Sequence, residues 1–231
     1  TTVLPGGAGN AASNVATMGA TAELVGVLGR EDVDSRVLRA FPTGVKRSGI
    51  VRVKNYRTPV KTRILAGGLH SARQQIVRID REGSVPNKVE IRSMVERSAL
   101  DAFPECDAVL VSDYGSGLIT PSLVTSVRRS LAKRGRRLRV PILVDSRHQL
   151  LRYRGLTACT PNESEAEKML GRQIGDDSRR LERAGREILK RTRSEGVVLT
   201  RGSRGMSVFV SGQRTAHLPI YGTDEIADVT G

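Results

Sequence analysis

The chain has 231 residues, a hydrophobic fraction of 38% and a net charge of +14, from 38 Lys and Arg against 24 Asp and Glu. This composition is typical of a folded protein with one large domain, and it excludes the disordered class. No apolar run approaches the roughly 20 residues that cross a bilayer, so we expect no membrane-spanning segment. Cys106 and Cys159 are far apart in sequence, and we expect reduced thiols in a cytoplasmic protein.

The first segment, Pro5 to Ala20, begins with a glycine-rich turn that runs into a helix of small residues. Gly6 and Gly7 leave room for a ligand beside the backbone. The amide of Asn10 offers both a donor and an acceptor to a sugar hydroxyl. The alternative is a plain loop-to-helix junction in which Asn10 is the helix cap.

The sequence predicts a buried strand at 23–28 and a short helix at 34–41. After them the residue pattern becomes an alternation of apolar and polar residues. Alternating patterns predict a small antiparallel sheet, with a turn at Gly67-Gly68, from the segments Gly49–Val53, Val60–Leu65 and Gln75–Asp80. Its charged face contains Lys61, Arg63 and Arg78. These side chains either meet a phosphate or carboxylate, or form a solvated strand face.

From Asn87, which we expect to cap a helix reaching Ala102, helices alternate with apolar strands. This alternation predicts a parallel sheet covered by helices on both faces, with ligands at the carboxyl ends of its strands. The expected strands are Ala108–Ser112, Val140–Val144, Leu156–Thr160 and Val197–Thr200. Three further helices are expected: one that starts at Thr120, one over Glu163–Leu170 and one over Ser178–Arg193. The candidate residues at the strand ends are Asp113, Asp145, Asn162, Glu165, Thr200 and Gly202.

Basic residues are concentrated in two runs, Arg128–Arg139 and Arg179–Arg193. We interpret both as solvated faces of amphipathic helices, because no aromatic residues interleave with them as in a base-stacking surface. The alternative is a nucleic-acid-binding α/β domain, for which the net charge is the only support. Phosphorylated small molecules would also gain from the positive field.

Three segments together are similar to the pfkB, or ribokinase-like, family of carbohydrate kinases. They are Gly6–Ala12 with Gly19 and Gly29 downstream, Thr160–Glu165, and Leu199–Met206 followed by Asp228–Gly231. The last four residues resemble the first half of the family's carboxyl-terminal signature. The resemblance covers essentially the whole chain and implies one ribokinase-like α/β domain, residues 1–231, with lid strands at about 45–80 inserted in it.

Within this family the chain most resembles bacterial heptose 7-phosphate kinases. The residues that suggest this are Val60–Arg63, Gln74–Asp80, Ser112–Gly115 and Arg152–Gly155. The resemblance implies transfer of the γ-phosphate of ATP, with Mg²⁺, to the anomeric hydroxyl of D-glycero-D-manno-heptose 7-phosphate, in the synthesis of ADP-heptose for lipopolysaccharide. It also implies a homodimer formed through the lid.

The resemblance assigns roles to individual residues. Gly6, Gly7 and Asn10 would hold sugar hydroxyls, while Lys61 and Arg63 would lie in the lid over the sugar phosphate. Asn162 and Glu165 match the family's Asn-x-x-Glu motif, which organises Mg²⁺ through water; the alternative is a helix-capping pattern. The expected contacts to ATP are Asn162, Glu163, Ser164, Glu165, Thr200, Gly202, Gly205 and Asp228, with Thr230 and Gly231 starting the anion hole.

The chain departs from the family pattern at several points. The general base of the family would lie directly after Gly231 and the first strand before Thr1, so we expect an internal fragment without kinase activity as it stands. Heptose kinases usually have Asp-Pro-Lys at Asp145–Arg147 and Lys at Ser116. A kinase for another sugar, such as ribose or a fructose phosphate, and a degenerate binding protein are the alternatives.

Overall fold

The computed structural model describes residues 1–67, 74–83, 85, 88–103, 106–133 and 140–221. These residues form two compact units. The first unit consists of Thr1–Pro5 and Ala12–Ser98, and the second of Gly6–Ala11 and Ala99–Gly231. The expectation of a single domain stays a prediction, and each unit is described by itself.

The first unit contains short strands and three helices, of which the first and last include residues of both units. In chain order the elements are α1 (Ala8–Thr17), β1 (Ala22–Glu23), β2 (Gly26–Leu28), α2 (Asp32–Ala40), β3 (Val45–Lys46), β4 (Ile50–Arg52), β5 (Val60–Ala66), β6 (Gln74–Arg81) and α3 (Lys88–Ala102).

The strand predicted at 23–28 is divided in two. Strand β1 pairs in parallel with β3, whereas β2 pairs in parallel with β4. The chain changes partner at Leu24, whose amide donates to the Lys46 carbonyl at 2.9 Å. A side chain at Gly49 would lie 2.8 Å from the Leu24 carbonyl oxygen, so glycine permits this approach. The assignment of Gly49–Val53 to the antiparallel lid sheet was therefore wrong.

A buried carboxylate holds the loop that follows β2. Asp34, which is fully buried, accepts hydrogen bonds from the Glu31 amide at 2.8 Å and from the Thr58 hydroxyl. The Thr58 hydroxyl in turn accepts from the Gly29 amide at 2.9 Å. A Cβ at Gly29 would lie 2.1 Å from the Tyr56 carbonyl oxygen, so only glycine fits. Gly29 thus has a packing role in this unit.

The predicted antiparallel pair of lid strands is confirmed. Strand β5 pairs with β6 from Val60 opposite Arg81 to Ala66 opposite Gln74. Almost every side chain of this two-stranded sheet is exposed. Val60, Thr62 and Ile64 share one face, on which Arg81 lies opposite Val60. The other charged residues of the two strands, Lys61, Arg63, Arg78 and Asp80, lie on the opposite face.

The second unit contains the longer sheet. Its elements are β7 (Val109–Asp113), α4 (Pro121–Lys133), β8 (Ile142–Ser146), β9 (Ala158–Cys159), α5 (Glu163–Leu170), α6 (Ser178–Thr192), β10 (Gly196–Thr200), β11 (Met206–Val210) and β12 (Ala216–Leu218), with 3₁₀ turns at Leu150–Arg152 and Gly202–Arg204.

These strands form one sheet in the order β12-β11-β10-β9-β8-β7. Strands β7 to β10 are parallel, and β11 and β12 add antiparallel to β10. The predicted α/β class with a parallel-rich sheet is confirmed. Strands β11 and β12 were not predicted, although buried Ser207 and Phe209 alternate with more exposed neighbours in β11.

Helix α6 shows how the sequence pattern becomes packing. Its buried residues recur at helical spacing, as predicted for an amphipathic helix, and are Leu181, Ala184, Gly185, Ile188, Leu189 and Thr192. A Cβ at Gly185 would lie 2.3 Å from the ring of Phe209, which is fully buried. Removing such a ring costs about 3–5 kcal/mol, so this contact is a major part of the core. Within the described ranges, no helix is long and apolar enough to cross a membrane.

Candidate functional site

The carboxyl ends of β7, β8, β9 and β10 lie at one edge of the sheet because the four strands are parallel. We call this the strand-end edge. Asp113 and Ser146 are the last residues of β7 and β8, and Thr200 is the last residue of β10. Asn162 forms a parallel bridge with Thr200, and the Thr200 amide donates to the Pro161 carbonyl at 3.0 Å. The predicted residues Asn162 and Thr200 are therefore neighbours.

Asp113 supports this edge from inside the protein. Its side chain is buried and accepts hydrogen bonds from the Ser146 hydroxyl at 2.8 Å, the Tyr153 hydroxyl at 2.9 Å and the Gly115 amide at 2.9 Å. Burial and the nearby carboxylate raise the pKa of Tyr153, so its hydroxyl remains a donor. Asp113, a strand-end candidate, thus fixes the loop after β7.

Asn162 and Glu165 form a capping box at the start of α5. The Asn162 Oδ1 accepts from the Glu165 amide at 2.8 Å, and Glu165 Oε2 accepts from the Asn162 amide at 3.0 Å. The capping interpretation of this motif is confirmed, as are the bounds of α5. The second carboxylate oxygen of Glu165 takes no part in the cap and lies 3.9 Å from the Arg147 Nε. Capping therefore leaves part of Glu165 available to a ligand.

Asp145 is the carboxylate at this edge that is best suited to bind a ligand. It is half-buried, and burial together with the charge of Glu165 raises its pKa, while Arg147 opposes that shift. Within the described residues its carboxylate makes no hydrogen bond or ion pair. Repulsion between two carboxylates favours a cation between them, and oxygen donors suit Mg²⁺.

These oxygen donors fit a site in which Mg²⁺ keeps several waters better than a site built from protein ligands alone. Across the described ranges, no group of three or more His, Cys, Asp or Glu side chains converges to hold a metal. Mg²⁺ usually keeps several waters and binds one or two carboxylates together with substrate phosphates. Asp145 and Glu165, with the Asn162 amide beside them, match that requirement. Asp145 was predicted at a strand end but not as a ligand of the metal.

Glu163 is joined to the loop after β10 by two arginines. Its Oε2 pairs with the Arg201 Nε at 2.8 Å, and each of these side chains is only 13% exposed. Its Oε1 pairs with the Arg204 Nη2 at 2.7 Å. Arg201 also donates to the Gly175 carbonyl at 2.8 Å. We call Glu163, Arg201 and Arg204 the Glu163 clamp, because both oxygens of Glu163 hold this loop against α5.

The two predicted glycines of this loop have different surroundings. Both have positive φ, at +57° for Gly202 and +75° for Gly205. A Cβ at Gly205 would lie 2.0 Å from the Leu218 carbonyl oxygen, so packing requires glycine there. A Cβ at Gly202 would meet nothing within 4 Å, which leaves the backbone open to a ligand. Ser164, inside the Asn162–Glu165 motif, is exposed.

The predicted sugar loop lies at the start of α1, within the second unit. The Asn10 amide donates to the Gly7 carbonyl at 3.0 Å, which places Asn10 inside the first helical turn. The alternative that Asn10 caps this helix was therefore wrong. Gly7 has φ of +54°, and a Cβ there would lie 3.5 Å from the ring of Tyr114, whereas Gly6 meets nothing within 4 Å.

The remaining predicted residues lie elsewhere. Lys61 and Arg63 belong to β5 in the first unit, opposite Asp80 and Arg78 respectively. Arg78 donates to Asp80 at 2.9 and 2.7 Å, and this hydrogen bond lowers the pKa of Asp80, with Lys61 and Arg63 adding to the shift. The predictions for Gly68, Asn87, Asp228, Thr230 and Gly231 lie outside the described residues.

Sequence comparison gives one family and a set of relatives. The model of the "pfkB family carbohydrate kinase" matches residues 1–231. The chain is 38% identical over 232 residues to the "Bifunctional protein HldE" of Geobacter sulfurreducens, covering 98% of this chain and 44% of that protein. It is 33% identical to the protein of the same name from Gluconobacter oxydans, covering 99% and 46%. The chain thus spans less than half the length of these relatives.

Comparison with solved structures gives the same fold at low identity. An Arabidopsis thaliana ribokinase complexed with ribose and ATP matches with a TM-score of 0.67 and 20% identity, covering 96% of this chain and 69% of that chain. The Escherichia coli phosphofructokinase-2 in complex with fructose-6-phosphate matches with a TM-score of 0.64 and 16% identity, covering 91% and 66%. Both likenesses concern the fold.

Proposed function

Because the chain belongs to the pfkB family of carbohydrate kinases, we propose that it forms the ATP-dependent kinase part of a protein that phosphorylates D-glycero-D-manno-heptose 7-phosphate. The observation that supports a kinase most directly is the arrangement at the strand-end edge. There the Asn162–Glu165 motif follows β9 and the open backbone at Gly202 follows the neighbouring parallel strand β10, and Asn162 is bridged to Thr200 at the end of β10. Ligands of open α/β sheets bind at this edge.

On the nucleotide side, the phosphates of ATP would lie against the amino end of α5 and the loop at Gly202. Backbone amides at such positions favour anions. Asn162 and Glu165 would hold Mg²⁺ largely through water, with Asp145 as a further oxygen ligand. The bound ion would supply neutralisation of phosphate charge. The other expected nucleotide contacts are Glu163, Ser164, Thr200, Gly205 and Asp228. Glu163 and Gly205 would act indirectly, because they fix the conformation of the loop after β10.

On the acceptor side, Gly6, Gly7 and Asn10 would bind sugar hydroxyls. The 7-phosphate would pair with Lys61 and Arg63. Two observations support the pairing with the 7-phosphate. Arg63 and Arg78 lie directly opposite each other on adjacent strands, and Asp80 is the only acidic residue of β5 and β6. Like charges that face each other across a sheet gain from an anion between them.

In the reaction, the anomeric oxygen forms a bond to the γ-phosphorus while the bond from that phosphorus to the bridging oxygen of ADP breaks. The proton of the hydroxyl passes to the carboxylate that the family resemblance implies directly after Gly231. Amides at Thr230 and Gly231 would stabilise the transferring group. Catalysis of this kind depends on positioning and charge rather than on covalent participation.

The heptose substrate places the reaction early in the synthesis of ADP-heptose for lipopolysaccharide, in the cytoplasm. Support for this finer assignment comes from the segments Val60–Arg63, Gln74–Asp80 and Arg152–Gly155. The substitution of Ser146 and Arg147 for Pro and Lys is the main departure. Inactivity of the isolated 231-residue chain stays a prediction that the same assay tests.

The experiment is an ADP-release assay with Mg·ATP on the complete natural protein that contains this chain. The acceptor panel holds heptose 7-phosphate, fructose 6-phosphate, fructose 1-phosphate and ribose, and the 231-residue chain is assayed in parallel. We expect turnover only with heptose 7-phosphate. Turnover on another sugar would overturn the substrate assignment but not the kinase, and nucleotide binding without turnover on any sugar would indicate a degenerate binding protein.

We also propose that the apolar face of the β5–β6 sheet pairs with a second copy of the chain. Ile64, Val77 and Ile79 lie on that face and are 47, 43 and 53% exposed. A two-stranded sheet is marginal by itself in water and needs packing on one face. In sedimentation we expect a dimer that Ile79→Asp converts to a monomer, while Ile76→Asp on the other face has a smaller effect. A monomeric wild type would contradict this assembly.

A further inference from the structure

Arg147 occupies a central place on the strand-end edge. It follows the last residue of β8, and its backbone amide donates to the Asp113 carbonyl at 3.1 Å. Its guanidinium carbon lies 5.3 Å from the centre of the Tyr114 ring, within cation–π range. Its Nε lies 3.9 Å from the Glu165 Oε1. The side chain is therefore held in place by a ring on one side and a carboxylate on the other.

The arginines of this edge differ in how their donors are used. Arg201 donates to Glu163 and to the Gly175 carbonyl, and Arg204 donates to Glu163 and Asp176. Within the described residues, the guanidinium of Arg147 makes no hydrogen bond at all, because 3.9 Å to Glu165 is beyond hydrogen-bond range. Its side chain is 45% exposed. Arg147 is thus a positioned cation whose planar set of donors is available to an anion.

Tyr114 and Glu165 connect Arg147 to both halves of the site. The Tyr114 ring packs under the glycine turn of the predicted sugar loop, at 3.5 Å from a Cβ built on Gly7. Glu165 belongs to the predicted metal and nucleotide motif. Arg147 therefore stands between the acceptor side and the nucleotide side. A phosphoryl group that moves from ATP to a sugar has to cross this interval.

We propose that Arg147 is a catalytic residue that binds the oxygens of the phosphoryl group in transit, and that Tyr114 and Glu165 position it. The inference rests on the proposed kinase function and deepens it. As the anomeric oxygen bonds to the γ-phosphorus and the bond to ADP breaks, negative charge spreads over the three non-bridging oxygens. A guanidinium pairs with two such oxygens at once, which stabilises that charge distribution.

The test uses the complete natural protein with Arg147→Met, Arg147→Lys and the control Arg129→Met. Arg129 is an exposed residue of α4, so its replacement changes the net charge equally without touching the strand-end edge. For Arg147→Met we expect kcat to fall by about 100- to 1,000-fold with a small change in KM for the sugar. Arg147→Lys should recover part of kcat, because it keeps the charge but not the paired donors. Guanidinium ions added to Arg147→Met should raise its kcat.

A binding measurement makes the test independent of the acceptor sugar. Calorimetry gives the Kd for Mg·ATP and for Mg·ADP in each variant. We expect Arg147→Met to reduce the preference for ATP over ADP by at least tenfold, while Arg129→Met keeps it. An unchanged preference together with an unchanged kcat would overturn the role of Arg147 and leave the kinase proposal intact. Absence of any ATP binding by the wild type would overturn both.

Discussion

The strand-end edge of the six-stranded sheet and the β5–β6 sheet differ in how their side chains are supported. At the edge, Asp113 is 3% exposed and has three donors, and Glu163 and Arg201 are each 13% exposed and paired. On the β5–β6 sheet, Ile79 is 53% exposed and the pair of Arg78 with Asp80 lies in solvent. One region is fixed by internal contacts, and the other has few of its own.

This difference separates two ways of building a binding site. The strand-end edge, where we propose that the nucleotide binds, is preorganised, because buried hydrogen bonds and partly buried ion pairs set its shape before any ligand arrives. The β5–β6 sheet displays Ile64, Val77 and Ile79 on one face and Lys61, Arg63 and Arg78 on the other. Almost all of its side chains are exposed, so a partner or ligand that covers either face would stabilise it. We therefore expect substitutions at the strand-end edge to affect folding and nucleotide binding. Substitutions on the β5–β6 sheet should affect assembly and the sugar phosphate.

The largest expected effect is on stability, in Asp113→Ala. The substitution leaves the hydroxyls of Ser146 and Tyr153 and the Gly115 amide without their acceptor, two of them on buried residues. The free energy of unfolding should fall by about 2–4 kcal/mol, measured by urea denaturation. The matched variant on the other sheet is Asp80→Ala, which removes an exposed carboxylate. Equal shifts in the urea midpoints of Asp113→Ala and Asp80→Ala would contradict the difference in support between the two regions.

The next effect is on nucleotide affinity, in Glu163→Gln. Loss of the carboxylate charge weakens both arms of the Glu163 clamp, so the loop at Gly202 is less well positioned. We expect KM for ATP to rise about tenfold, which corresponds to about 1.4 kcal/mol, with KM for the sugar unchanged. The control is Glu187→Gln, because Glu187 also pairs with two arginines, Arg172 and Arg191, but lies on α6 away from the loop at Gly202, with a side chain that is 36% exposed. A similar rise in both variants would assign the effect to net charge.

The smallest effect concerns pH and the cap of α6. Hydrogen bonds from the Arg180 and Arg179 amides lower the pKa of Asp177 below its usual value. A carboxyl whose pKa is lower in the folded state stabilises the protein above its unfolded pKa of about 3.9 and loses that contribution as pH falls through the folded pKa. Asp177→Ala should therefore lower Tm at pH 7, with the difference from wild type shrinking below about pH 4. For Asp177→Asn, which keeps a neutral acceptor, the difference in Tm from Asp177→Ala should not depend on pH.

Much of the second unit could be predicted because its signals are local. Helix α5 begins after Asn162 and ends before Gly171, which has the left-handed φ of a helix C-cap, and both residue types mark helix ends in sequence. Helix α4 begins at Pro121 as predicted. The parallel strands were recognised from short apolar runs. Strand β12 was not predicted because its three residues are all exposed and show no pattern of their own. In β11 the burial alternates, but Val208, Phe209 and Val210 are three consecutive apolar residues, so the sequence does not display that alternation.

The class of the fold, the start of α4, the bounds of α5 and the motifs shared with carbohydrate kinases could be read from the amino-acid sequence, because capping residues, periodicity and glycine turns act over a few neighbouring positions. Helix α2, expected at 34–41, instead spans Asp32–Ala40. Which charged groups meet depends on contacts between residues that are far apart in the chain. Glu163 and Arg201 are 38 residues apart, and Asp113 and Tyr153 are 40 apart. Such pairs depend on strand order and on how loops fold back, so no local pattern gave the Glu163 clamp, the partners of Asp113 or the position of Arg147 between two predicted binding loops.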